Sequence, residues 1–238
     1  LPYQTIERTP EGIDLEELER IFQSGRIKFF YTIPRFHYPL GHSYSRKEKE
    51  EIIRLARLYD VYIIEDDYLA DFDSKRELTF HYLDDSQHVI YIKSFSTSLF
   101  PALRITALLF PPAIQPTFIA YKKAVDYDSN LIMQKALSLY IDNLMFEKNR
   151  LSLLNQQEKE LTRARKLLSQ NQLKLSYFLN RDGILLDLRG LKSISSLKHS
   201  NLPLDFFEAS YIQDCPYQYA KIKYGDLEKV LQHLNEYL

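Results

Sequence analysis

Glycine, cysteine and long apolar runs are all scarce in this chain, and each shortage excludes something. Six glycines in 238 residues fall well below the roughly 7% of an average protein. No two are spaced as in G-x-G-x-x-G or a Walker loop, so a glycine-built phosphate cradle is excluded. The single Cys215 excludes an intramolecular disulfide framework and a cysteine-cluster metal site, and it suits a reducing cytosol. Charges break every apolar stretch before the ~20 residues that a membrane helix needs. With 31 basic and 32 acidic residues, no global field favours nucleic acid or an anionic membrane. The sequence opens Leu1-Pro2-Tyr3, without initiator Met or signal segment, and reads as part of a longer polypeptide.

The residues that are present suffice for a packed core: 45% are hydrophobic and 26% charged, which excludes intrinsic disorder. At ~150 residues per domain the length corresponds to about 1.6 domains. Asp14–Ser24 reads as a helix with Asp14 as N-cap, and Lys28–Ile33 as a strand. The loop Pro34–Gly41 follows. Ser45-Arg46-Lys47-Glu48 is then a capping box opening a second helix. Val61–Glu65 is a strand, completing a βαβ unit whose strands are parallel with a right-handed crossover. His88–Lys93 and Arg104–Phe110 are the third and fourth strands, and the short link between them predicts an antiparallel last strand. Pro112 to about Gln170 is helical, with Met133, Ala136, Leu137, Tyr140, Ile141 and Leu144 expected to form a core-facing stripe. Lys174–Phe178, Ile184–Leu188, Asp205–Glu208 and Tyr219–Tyr224 read as strands, with helices near Ser193 and over Asp226–Leu238. The expected architecture is α/β over residues 1–150, followed by a small α+β domain over 151–238.

In an open parallel sheet, ligands collect beyond the carboxyl ends of the strands. Three segments fall there: Pro34–Gly41, Glu65-Asp66-Asp67-Tyr68 and Ser94–Ser98 with Arg104 beyond it. A hydroxyl-rich turn and an arginine can hold a phosphate through several neutral donors and one bidentate cation. A carboxylate on the neighbouring strand end keeps a heterocyclic nitrogen protonated. Together the parts suit an anionic, phosphorylated aromatic cofactor. Each part also has an ordinary reading. The acidic run fits a solvated strand end, and Arg104 fits pairing with a surface carboxylate. His37 and His42 lack a third ligand, so no metal site is expected. The run from Glu158 to Lys166 is a charged helix face, and the eighteen tyrosines read as core and interface residues.

The order PRFHYPLG, IIEDDY, KSFSTSLFPALR resembles the aminotransferase-type domain of MocR/GabR regulators. These GntR-type transcription factors join a winged helix to a domain shaped like fold-type I, pyridoxal-phosphate-dependent aminotransferases. The family shows P-S-H-Q-Y-P-T-G, I-I-E-D-D-Y and G-T-F-S-K-S-L-x-P-x-L-R at similar spacing. The resemblance covers essentially the whole chain. It implies part of the large domain of such a transferase, with a mostly parallel sheet whose last strand is antiparallel, plus the small domain. It implies that Asp66 pairs with the pyridine nitrogen and Tyr68 with the phenolic oxygen. Ser94, Ser96 and Arg104 would surround the phosphate, while Tyr38 and Lys221 would contact substrate or effector. It further implies a cytoplasmic homodimer that binds an amino acid or a pyridoxal-phosphate-like effector and meets DNA only through an upstream domain.

The departures bear on catalysis. The family's Schiff-base lysine position holds Thr97, which has no amine to form an imine or carry a proton. Lys93 would have to enter the pocket from another point. Thr106 stands for a glycine, Arg35-Phe36 for serine-histidine, and Lys221 for the arginine that clamps a carboxylate, without that arginine's planar fork. The expectation is an effector-binding and dimerisation domain that is aminotransferase-like but inactive, holding pyridoxal phosphate, if at all, without a covalent link. Two alternatives stand beside it: an aminotransferase represented by a fragment or a lysine mutant, and a ligand-free dimerisation scaffold.

Overall fold

The computed structural model describes residues 2–126, 129–171, 173–191, 194–211, 216–234 and 237. Cys215 and Ser193, both singled out above, lie outside them. The chain forms two compact units. One comprises Leu1–Arg35 and Ser43–Leu154; the other comprises Phe36–His42 and Asn155–Leu238.

The first unit opens with a small antiparallel hairpin, β1 (Arg8–Thr9) and β2 (Gly12–Ile13). Helix α1 (Leu15–Gln23) starts where the Asp14 carboxylate accepts the backbone N–H groups of Glu16 and Glu17, the N-cap that its sequence predicts. A four-stranded sheet follows, in the order β3 (Phe29–Thr32), β4 (Tyr62–Asp66), β5 (Val89–Ser94), β6 (Thr106–Leu109). The first three strands are parallel and β6 is antiparallel, as the connection lengths require. Helix α2 (Arg46–Leu58) makes the β3–β4 crossover. Its capping box is complete: Ser45 Oγ accepts from Glu48 N, and Glu48 accepts from Ser45 N at 2.7 Å. The short α3 (Phe80–Leu83) precedes β5.

Burial alternates strictly along β4, as a two-residue period demands. Val61, Ile63, Glu65 and Asp67 are buried, while Tyr62, Ile64, Asp66 and Tyr68 are only partly covered. Ile63 joins a core with Leu18, Phe22, Ile52, Ala56, Phe80 and Val89. Register places Tyr31 opposite Ile64 and Asp66 opposite Ile92. On that side of the sheet Phe29 and Tyr31 are more than half exposed.

Helices α4 (Gln115–Val125), α5 (Leu131–Asp142) and α6 (Met145–Gln170) follow. Here one expectation is corrected. Of the Met133–Leu144 stripe only Leu137 is buried, while Ala136, Ile141 and Leu144 are exposed. A helical period specifies that a face seeks cover, not that a covering layer packs on it.

The second unit holds the antiparallel sheet β7 (Tyr177–Asn180), β8 (Gly183–Asp187), β9 (Tyr219–Lys223). It also contains α7 (Ser195–Lys198) and α8 (Leu227–His233). Its core collects Leu168, Ile184, Leu186, Leu197, Ile222 and Val230. Strand β7 begins at Tyr177, three residues later than expected. The strand expected over Asp205–Glu208 does not form. Asp205 makes a single bridge to Lys221, its carboxylate accepts from Phe207 N at 2.8 Å, and Phe207 turns to φ 61°. An aspartate that caps its own backbone two residues on offers the chain a turn in place of a ladder.

The loop Phe36–His42 belongs to this second unit. His37 and His42 close it through an antiparallel bridge, and the Asn180 amide donates to Leu40 O at 2.9 Å. Gly41 sits at φ 76°, where a Cβ would lie 2.1 Å from Asn180 Cγ. Gly41→Ala should therefore displace Asn180 and lower stability by roughly 2 kcal/mol, read as a lower midpoint in urea unfolding.

Candidate functional site

In the first unit, the ends of β4 and β5 carry the residues singled out for a phosphorylated aromatic ligand. The register that sets Asp66 beside Ile92 puts Ser94, two residues further, on the same side of the sheet. The Asp66 carboxylate accepts the Tyr31 hydroxyl at 2.7 Å. Beyond Ser94 the chain turns back through a 3-10 helix at Pro101–Leu103. Ser94 Oγ accepts from Ser96 N at 3.3 Å, and Ser96 Oγ accepts from Arg104 N at 3.2 Å. Arg104 adopts a left-handed conformation, φ 51° and ψ 36°. The structure thus brings Ser94, Ser96 and the Arg104 backbone into one hydrogen-bonded turn. Among the described residues the Arg104 side chain makes no ion pair, and the residue is exposed, so its charge is open to an external anion. Thr97 lies exposed within the same turn.

Lys93, the nearest amine in sequence, is engaged elsewhere. It forms a close ion pair with Asp71 and donates to the Ser94 carbonyl at 2.9 Å. Asn149 donates to Ser98 O at 2.8 Å and fixes the far side of the turn.

The acidic run is not a solvated strand end. Glu65 is fully buried, accepting the N–H groups of Phe80 and His81 at 2.8 and 2.9 Å. Burial pushes its carboxyl up to about 7 against those hydrogen bonds, with Asp67 adding repulsion and Lys49 opposing it. Asp67 is buried beside Arg35, whose Nε stands 2.7 Å from Oδ1 and whose Nη2 donates to Oδ2 at 3.1 Å. Arg35 also forms a close ion pair with Asp73 and donates to Glu77 O at 3.3 Å. Tyr91 donates its hydroxyl to Asp67 at 3.1 Å. Arg35 and Glu65 give no signal of these roles in sequence. A pattern shows that they alternate with other residues, but not which distant partners satisfy them.

In the second unit, Tyr38 and Lys221 lie together, the ammonium 4.9 Å from the ring centroid. Lys221 is buried and ion-paired with Asp182 at 2.7 Å. Tyr38 donates to Asp205 at 3.1 Å. Burial, then the neighbouring carboxylate, raises its phenol above the usual range. Neither group is idle: a carboxylate ligand on Lys221 would compete with Asp182.

Among the described residues no group of three or more His, Cys, Asp or Glu is arranged to hold a metal, and no helix is long and apolar enough to cross a membrane. No family model matches the chain. Over its whole length it is 36% identical to the uncharacterized HTH-type transcriptional regulator YcxD of Bacillus subtilis, of which it spans 58%. Over 63% of its length it is 29% identical to the HTH-type transcriptional regulator NorG of Staphylococcus aureus, matching 33% of that protein. Among solved structures it superimposes on a kynurenine aminotransferase of Pyrococcus horikoshii with a TM-score of 0.80 at 21% identity. That match covers 99% of this chain and 63% of the other. The α-aminoadipate aminotransferase LysN of Thermus thermophilus gives 0.79 at 17% identity, over 99% and 66% of the two chains. These likenesses establish the class, an α/β chain with the fold of pyridoxal-phosphate-dependent aminotransferases. In sequence the chain is similar to HTH-type transcriptional regulators, spanning little more than half the length of the regulator it matches from end to end.

Proposed function

We propose that this chain is the effector-binding and dimerisation part of a cytoplasmic transcriptional regulator. In this reading it binds a phosphorylated pyridine without catalysing transamination, and DNA is contacted by another part of the full-length protein. One observation carries the reading. Thr97 stands exposed in the turn that gathers Ser94, Ser96 and Arg104, so the anion-binding elements are kept where the amine is missing. The residues fit pyridoxal phosphate in part. Arg104 and the serine hydroxyls suit the phosphate, Asp66 suits a protonated ring nitrogen, and Tyr68 suits the phenolic oxygen. No residue of the turn suits a covalent link, and the Asp71 pairing keeps Lys93 occupied. When bound, the cofactor would supply an electron-withdrawing ring; this chain's residues would only hold and orient it. Tyr38 and Lys221 are the residues proposed to meet an effector carboxylate in the second unit.

The test is a titration of the full-length protein with pyridoxamine 5'-phosphate, which has no aldehyde and so reports non-covalent binding. Saturable, reversible binding is expected, weakened about 10- to 100-fold in Arg104→Ala, because a charge-assisted bidentate contact is lost. Borohydride treatment after adding pyridoxal phosphate should leave no label within this region. Stoichiometric labelling there, or an Arg104→Ala variant that binds as well as the parent, would overturn the proposal.

A further inference from the structure

The Tyr31 phenol is an element of the ligand site that the linear motifs do not contain. It lies on β3, outside all three matched segments, and its hydroxyl donates to Asp66 at 2.7 Å across thirty-five positions of sequence. Tyr68 sits close enough to act on the same phenol electrostatically, and burial followed by the Asp66 bond raises Tyr31 above the ordinary tyrosine range. A phenol in that setting stays protonated throughout the physiological range and serves only as a donor toward the carboxylate. Tyr31 as a whole residue is more than half exposed, and its hydroxyl is held by the bond to Asp66.

The consequence lies in the carboxylate's remaining valence. An ionised carboxylate has about four lone-pair positions and no proton to give. With one oxygen taken by a phenol, the free lone pairs of Asp66 present a defined direction to an N–H donor, and rotation about the last side-chain bond is restricted. A preorganised acceptor discriminates more sharply than a freely turning one, because less ordering remains to be done on binding. We infer that Tyr31 is a positioning residue that orients Asp66 and thereby selects ligands bearing a protonated ring nitrogen over isosteres that lack one. This rests on the proposed site and adds the residue that sets its ring selectivity.

The experiment compares two probes in the full-length protein: pyridoxamine 5'-phosphate, and the same molecule with C–H in place of the ring nitrogen. The parent should bind the first more tightly. Tyr31→Phe should weaken the first by about five- to tenfold, in line with the net contribution of one ordinary hydrogen bond, and leave the second unchanged. In an Asp66→Asn background, where the charged acceptor is gone, Tyr31→Phe should have no further effect, since the phenol acts through that carboxylate. Equal weakening of both probes would assign Tyr31 a packing role and overturn the inference. Unchanged binding of both would also overturn it, while the site itself would stand. If the parent binds neither probe, the proposed site fails, and the inference fails with it.

Discussion

Arg35→Met is expected to destabilise the first unit by about 3–5 kcal/mol, the range for removing one partner of a buried ion pair. The guanidinium is almost completely buried and serves Asp67, Asp73 and the Glu77 carbonyl. Methionine fills similar volume but leaves Asp67 and Asp73 buried without their cation, and of the Asp67 contacts only the Tyr91 hydroxyl remains. The loss should extend beyond stability. Asp67 lies between Asp66 and Tyr68, so loosening it should disorder both residues proposed to meet the ligand. Chemical unfolding followed by circular dichroism measures the first effect, and the pyridoxamine phosphate titration the second. A double variant, Arg35→Met with Asp67→Leu, should regain part of the stability, because it removes one of the two buried carboxylates left without their cation, Asp73 being the other. A single variant as stable as the parent would show that the pair contributes nothing.

The second large effect is a pH dependence traced to Glu65. Its carboxyl is held at about 7 in the folded protein against an ordinary 4.5, so the folded state binds the proton more tightly than the unfolded chain does. The stability linked to that proton is fully present below about 4.5 and is lost as pH rises through about 7. Integrated over the interval it amounts to about 3 kcal/mol, at 1.36 kcal/mol per pKa unit. Glu65→Gln should lack this slope. It should also be less stable at low pH, because the amide keeps one acceptor but turns its own N–H₂ toward the second of the Phe80 and His81 N–H groups. Unfolding midpoints from about pH 5 to 8 for parent and variant test it. Parallel curves would mean that Glu65 titrates as an ordinary carboxylate.

Features that depend on neighbours along the chain are legible in the amino-acid sequence. The Asp14 cap, the Ser45–Glu48 box, the parallel β3–β4–β5 order and the antiparallel β6 follow from local hydrogen bonding, side-chain period and connection length. The turn from Ser94 to Arg104 is visible as a hydroxyl-rich motif because its bonding partners lie close together in sequence. Features that depend on distant partners are not legible. The Met133–Leu144 stripe satisfies the helical period yet lies largely uncovered. The Asp205–Glu208 segment has strand-forming residues but turns at Phe207 once Asp205 caps it.

The scarcity of glycine keeps its meaning. With so few glycines, an anion in this chain must rest on hydroxyls, backbone N–H groups and arginine, and the absence of lysine at position 97 is settled by sequence alone. Tertiary structure decided what each charge does. Adjacent carboxylates point to opposite sides of one strand, so Glu65 and Asp67 became buried partners of α3 and Arg35, while Asp66 faced Tyr31. Alternation along a strand is a local property that a sequence displays, but the dielectric and the partner that each side meets are set by segments tens of residues away.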